Sequence, residues 1–327
     1  MTNAVLQMKG MVGFGRMVPK RSALLLTVGA AVVGLASASA RADNVAWGNK
    51  TREFVWSSVG NWLSADNTSQ AMGRLPTADD DVFLWAGGLS SAPLVVLDGE
   101  VALTRGFYVS YVKNASTGNT RDILFEIADG GMMTNAGNVV IGDNARFYAG
   151  AACVSPCGTG RGGIVIKTDS RPENAALSAR YDPHGNGQYL NSLEIVGKGG
   201  WVTNSSSTTA TLTFGTNDLN GTFRVPRLGG SIAIAKMGTG TLTITNTPSV
   251  PALNVKGGMV DVCRADAGPV TMSTVTLAAA AKVTIKTATT ADQIVAPVEG
   301  AELIVDGVQL SLRKDVPTTL KVTLKNG

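Results

Sequence analysis

The sequence predicts an all-β protein built as a single-stranded parallel β-helix, a solenoid with coils of about 20 residues. Three observations lead there. Short alternating runs recur, among them Asp81–Trp85, Ile123–Ile127, Gly163–Lys167, Thr211–Phe214, Thr241–Thr245 and Lys282–Lys286, and each fits one brief half-buried strand. Glycines punctuate them with a rhythm: Gly199, Gly221, Gly240 and Gly258 are separated by 22, 19 and 18 residues. The wording around the turns also repeats, as Ile195-Val-Gly-Lys-Gly-Gly-Trp-Val202, Lys236-Met-Gly-Thr-Gly-Thr-Leu-Thr-Ile244 and Val255-Lys-Gly-Gly-Met-Val-Asp-Val262. A single coil of short strands cannot bury its apolar side, so a second coil stacked on it supplies both the ladder hydrogen bonds and the cover. Corner glycines are expected to take positive φ. A β-sandwich also uses many short strands and is the alternative architecture.

The chain begins with a leader. Lys20-Arg21 precedes a short apolar run, Ser22–Leu35, followed by the small residues Ala36–Ala42 with Arg41 among them. This is the layout of a signal peptide with overlapping A-x-A cleavage sites, with the cut expected after Ala42 and Ala40 as the other choice. The alternative is an uncleaved anchor, for which the run is short against the roughly 20 residues of a membrane span. Residues 1–42 are therefore taken as a signal peptide, and no membrane span is expected in the mature chain.

Charge is concentrated in that leader. Lys9, Arg16, Lys20, Arg21 and Arg41 stand there without an acid, so the 28 basic and 24 acidic residues of the whole chain leave 23 against 24 beyond residue 42. A nearly neutral mature chain lacks the basic stripe that nucleic-acid binding requires. Among 327 residues there is one histidine and there are three cysteines, which argues against a Cys/His zinc site. No cofactor is expected. Cys153 and Cys157 are close enough in sequence for a disulfide suited to an oxidising compartment, with unpaired thiols as the alternative.

Beyond the leader the expected organisation is an N-terminal cap with the first coils over 43–150, a loop excursion over 151–191, and further coils over 192–327. Four of the five tryptophans, Trp47, Trp56, Trp62 and Trp85, fall early. Bulky residues there are expected to close the open apolar end of the first coil. Asp79, Asp80 and Asp81 form the one aspartate run. It precedes a strand, so a structural role at the strand start is expected over a cation site or a carboxylate pair.

Two segments resemble a known family. Lys236–Thr247 followed by Val255–Val262 is similar to the autotransporter-associated β-strand repeat, which reads roughly K-x-G-x-G-T-L-x-L-x-x-x-N-T and then V-x-x-G-x-L-x-V. Leu242, Ile244, Val260 and Val262 take its inward positions; Pro248-Ser249 stands where the family carries an aromatic residue and glycine. Trp56-Ser-Ser-Val-Gly-Asn-Trp62, with Asn67, Pro76 and Asp80-Asp-Val82, resembles the opening segment of the same bacterial surface proteins. The resemblance implies a parallel β-helix exported by Gram-negative bacteria, secreted or held at the cell surface, and no single activity. Such passengers are commonly followed by an outer-membrane barrel. The residues after the repeats are too few for 8 or more spanning strands, so the expectation is a freely secreted product or a piece of a longer gene.

The functional expectation is a structural or adhesive role at the bacterial cell surface, with surface polysaccharide or other surface proteins as partners. Catalysis finds no constellation in the sequence, since the lone histidine, His184, sits among the turn formers Pro183, Gly185 and Asn186. The alternative is a polysaccharide-binding or polysaccharide-degrading β-helix whose site lies in the excursion, with Arg161, Arg180, Asp182, His184 and Tyr189 as contacts. Convergence of these side chains on one groove would favour that alternative.

Overall fold

The computed structural model describes residues 43–48, 55–67, 69–85, 94–97, 101–110, 123–127, 132–135, 139–141, 145–149, 164–168, 179–197, 199–266 and 268–326. Its strands are stacked parallel into a β-solenoid, as expected. Among the described residues one sheet of 13 strands runs the length of the stack. A six-strand sheet flanks it in the earlier coils and a seven-strand sheet in the later ones. Along the long sheet Thr241 lies beside Met259, Met259 beside Lys282, Lys282 beside Glu302 and Glu302 beside Lys321. Those steps of 18, 23, 20 and 19 residues are one coil each.

Alternation decides what each strand buries. In Thr241–Ile244, Leu242 and Ile244 are buried while Thr241 and Thr243 are half-buried on the outer face. Val260 and Val262 stack on them from the next coil and are buried too. In the flanking sheet Phe125, Phe147 and Tyr181 sit in register as an internal aromatic column, with ring centroids 5.1 and 5.7 Å apart.

Among the described residues the six-strand sheet stops at Leu228–Gly229. Beyond that point the strands Ser249–Val255, Val270–Leu277 and Thr289–Val295 lengthen to 7, 8 and 7 residues. Each breaks its alternation once. Val250 and Leu253 are buried with Pro251 and Ala252 between them, and Met272 and Val275 enclose Ser273 and Thr274. Ala291 and Ile294 enclose Asp292 and Gln293 in the same way. Two successive outward residues turn the strand through a corner, so a bend replaces the turn that separated two sheets.

The glycines act differently from the expectation at two corners. Gly258 does have φ +67°, the left-handed region that disfavours a side chain. Gly240 is not among the positive-φ residues; a Cβ on it would lie 2.4 Å from the carbonyl oxygen of Leu219. Close passage of the neighbouring coil, rather than backbone twist, requires glycine there, and Gly221 under Asn191 is the same case.

The first coil is closed. Strand Trp62–Ser64 runs antiparallel to Asn44–Trp47 and covers the edge that a preceding coil would occupy. Trp47, Trp56 and Trp62 are buried, with centroids 4.9 Å (Trp47–Trp62) and 4.6 Å (Trp56–Trp62) apart, and Trp62 Nε1 donates to the carbonyl of Trp56 at 2.9 Å. They plug the apolar end, as expected of these residues; the Trp85 side chain lies outside the described residues.

Candidate functional site

Segment 151–191 contributes the strands Ile164–Thr168, Arg180–Asp182 and Gln188–Leu190 to the stacked sheets. Arg161, Cys153 and Cys157 lie outside the described residues, as does the leader. Cys263 carries a free, half-buried thiol.

The remaining candidates wrap around one corner of one coil. Arg180 and Asp182 flank buried Tyr181 and so share the outer face of a strand in the six-strand sheet. His184 occupies the turn that follows, with φ +43°. Tyr189, on the outer face of Gln188–Leu190, belongs to the seven-strand sheet. Arg180 and Tyr189 therefore lie on two different sides of the coil and do not line one groove.

The corner is held by the next coil. Asp182 Oδ1 accepts from the backbone N–H of His184 at 2.9 Å and from that of Ser205 at 3.1 Å. His184 Nδ1 lies 2.8 Å from Ser205 Oγ. Asn204 is buried: its Oδ1 accepts from the backbone N–H of Gly185 and Ser206, and its Nδ2 donates to the carbonyls of Thr208 and Ser231. A buried amide that uses both its oxygen and its nitrogen in this way satisfies backbone groups a turn would leave unpaired. Asp182 thus fastens two stacked turns through their backbones, while the His184 and Ser205 side chains meet above them.

Sequence reasoning did not pick out Trp201, Asn204, Ser205 or Arg227. Register brings Trp201 beside Arg180. The Arg227 guanidinium carbon lies 5.4 Å from the Trp201 ring centroid, within cation–π range. The result is a short Arg–Trp–Arg row across three coils on the outer face of the six-strand sheet. The signal was a stacking partner about one coil away, which only strand register reveals.

Two charged clusters lie elsewhere. Asp80 is fully buried at the start of the strand Asp81–Trp85. Arg74 reaches it with Nη1 at 2.5 Å and Nη2 at 3.0 Å, and the backbone N–H and hydroxyl of Thr77 donate to it at 2.7 and 2.9 Å. Burial alone would raise this carboxyl's pKa. The Arg74 guanidinium, Thr77 and the Asp43 backbone N–H outweigh burial and hold it below the usual carboxylate value. Asp81 pairs with Arg105. This accords with the structural role expected of the run. Lys236 is also fully buried, its ammonium donating to the carbonyls of Met237 and Gly238. Burial lowers its pKa, opposed by Asp218. Gly215 and Gly258 leave room for the ammonium, because a Cβ on either would lie 2.9 Å from Nζ.

Among the described residues no group of three or more His, Cys, Asp or Glu is placed to hold a metal ion. No helix among them is long and apolar enough to cross a membrane. No family model, curated protein or solved structure matches this chain.

Proposed function

We propose that this chain is an exported β-solenoid with a structural or adhesive role at the bacterial cell surface, similar to the passengers built from autotransporter-associated repeats. The observation that carries this reading is the buried Lys236. It gives the lysine of the K-x-G-x-G segment a definite job, closing the glycine corner that follows it through the carbonyls of the next two residues, and the segment then continues into buried Leu242 and Ile244 at the inward positions of the repeat. A stack of this kind presents long, regular sides to solvent while one continuous core holds them rigid. The leader over 1–42 supplies the route out of the cytoplasm.

The test is expression of the full chain, tagged at its C-terminus, in a Gram-negative host. The expected product begins at Asp43 and is digested by protease added to whole cells or is found in the medium. Intact leader on cytoplasmic protein would overturn the proposal.

A second reading is favoured by the Arg180–Trp201–Arg227 row. Arginines pair with carboxylates through two parallel hydrogen bonds, so the row suits an acidic polysaccharide. Affinity electrophoresis in gels containing polyuronate should retard the protein, and Trp201→Ala with Arg227→Gln should abolish the retardation. Equal mobility of the parent protein with and without polyuronate would rule this reading out.

A further inference from the structure

Asp43 stands where the leader meets the first coil, and neighbouring strands fix its backbone. Its carbonyl accepts from the backbone N–H of Asp81 at 3.0 Å, and the carbonyl of Asn44 accepts from that of Ala65 at 2.7 Å. The backbone N–H of Asp43 donates to Asp80 Oδ1 at 3.2 Å. The two oxygens of that fully buried carboxylate are served unequally. Oδ2 accepts from Arg74 Nη1 at 2.5 Å, from the Thr77 N–H at 2.7 Å and from the Thr77 hydroxyl at 2.9 Å. Oδ1 has the longer contacts, Arg74 Nη2 at 3.0 Å and the Asp43 nitrogen.

Charge in this cluster is uneven while residue 42 stays attached. The Arg74 guanidinium serves two carboxylates, Asp80 at 2.5 Å and Asp43 at 2.8 Å. Asp81 is matched by Arg105, and Asp66 and Asp79 are exposed. One cation thus faces two anions, and the buried one is stable as an ion only when fully paired. Cutting the Ala42–Asp43 bond supplies a second cation. Water adds across the peptide bond, Ala42 leaves with the carboxylate, and Asp43 keeps an amine that is protonated below its ordinary pKa of about 7.7–8.0. That amine is the nitrogen already 3.2 Å from Asp80 Oδ1. A cut after Ala40 would leave Arg41 and Ala42 ahead of Asp43 and keep a neutral amide at that place.

We infer that leader removal after Ala42 completes an ion-pair site, in which the new α-ammonium of Asp43 binds the buried Asp80 carboxylate beside Arg74. The pair fastens the first strand, Asn44–Trp47, to the turn that opens Asp81–Trp85, so the first coil receives its closing charge only from processing. Pairing favours the charged amine. Its contribution is therefore fully present below the ordinary amine pKa and is lost as pH rises through the raised one. The inference rests on the leader of the exported reading, but the pair itself is tested on purified protein.

The experiment uses two versions of the full chain, each with a site in the leader for a protease that leaves no foreign residue on its product. One product begins at Asp43. The other begins at residue 41 and carries Arg41→Gly, so that no further cation is added. Both lack the leader and carry an α-ammonium, and they differ in where that charge sits. At about pH 6, where the amine is charged, the Asp43 product should melt at least about 2 °C above the other, and the gap should close toward about pH 10. Trace acetylation read by mass spectrometry should show the Asp43 amine titrating above its ordinary range and the other amine within it. Asp80→Asn, checked for folding by circular dichroism, should remove both differences; should it not fold, the acetylation profiles of the two parent products decide. Equal melting of the two products, or an Asp43 amine titrating in the ordinary range, would overturn the inference. A leader left uncut in cells, with both differences present in the purified products, would count against the exported reading and leave the ion pair standing.

Discussion

Replacing Leu242 or Ile244 by Ala should separate packing from decoration within one strand. Both are buried, and Ile244 stands in register between Phe223 and Val262. Leu242 has Val260 on one side and Gly221 on the other. Truncating Leu to Ala removes three carbons, about 2.4 kcal/mol of transfer at ~0.8 kcal/mol per methylene. The cavity adds to this, because Gly221 has no side chain to move and its backbone lies hard against Asn191. A total of about 3–4 kcal/mol follows, inside the range for buried aliphatics. Ile244→Ala should cost a similar amount, eased a little by Phe223 leaning into the gap. Thr243 lies between the two on the half-buried outer face, and Thr243→Ala should stay within about 0.5 kcal/mol. Urea melts followed by far-UV circular dichroism read all three, with an unchanged m-value showing that the same unit unfolds. Equal costs at Thr243 and Ile244 would refute the alternation, and with it the assignment of inner and outer faces.

Asp80→Asn should flatten the acid limb of stability. The folded carboxyl titrates below its unfolded value of about 3.9, so its contribution is present above that pH and is lost as pH falls through the folded pKa; melts of parent and variant between pH 2 and about 6 should converge at the acid end. Lys236 gives the same sign of pH dependence in an alkaline window: its folded pKa also lies below the unfolded value, here about 10.4, so the unfolded chain binds more protons there and the parent should gain stability relative to Lys236→Met as pH rises through that window. Alkaline urea melts check this, and parallel curves for the two proteins would count against a buried ammonium. Gly240→Ala should destabilise by roughly 1–3 kcal/mol, as overpacking does, because its Cβ would meet the carbonyl of Leu219; a neutral result in thermal melts would contradict the close passage of those coils. His184→Gly should be nearly neutral while His184→Ala costs about 1 kcal/mol, since the position has φ +43° and only glycine takes it freely; a matched pair of melts decides.

Strand existence and facing were legible wherever hydrophobic alternation was clean. Thr241–Ile244 could be oriented from residue type alone, because inward Leu242 and Ile244 alternate with threonines, and in Met259–Val262 the outward Asp261 between two valines sets the facing although Met259 shares its side. The bends were not legible. At Pro251-Ala252, Ser273-Thr274 and Asp292-Gln293 two outward residues follow one another, which in one dimension looks like the end of a strand. Lys236 was misleading for another reason. Lysine is almost always exposed, so its place before Gly-x-Gly carried no hint of burial until the neighbouring glycines were seen to make a pocket for the ammonium. In the candidate site, the turn at Pro183–Gly187 could be read from its composition. Its partners Asn204 and Ser205 could not, because about 20 residues of intervening chain hide a contact between adjacent coils. The glycine rhythm was informative about period and wrong about mechanism at Gly221 and Gly240, where the preceding coil's carbonyls, not φ, exclude a side chain.

Those limits share one physical origin. In a solenoid, each residue's decisive neighbours lie one coil before and one coil after, so local sequence fixes which way a side chain points but not what it meets. The first coil is where this matters most, since among the described residues no parallel strand stacks on its outer side. At the first coil the chain supplies the missing cover itself: the strand Trp62–Ser64 reverses direction, three tryptophans fill the apolar end, and the buried Asp80 is neutralised by Arg74. There the covering residues are also near in sequence to those they cover, which is why the cap is legible in the tryptophans alone, whereas contacts between later coils are not legible without strand register.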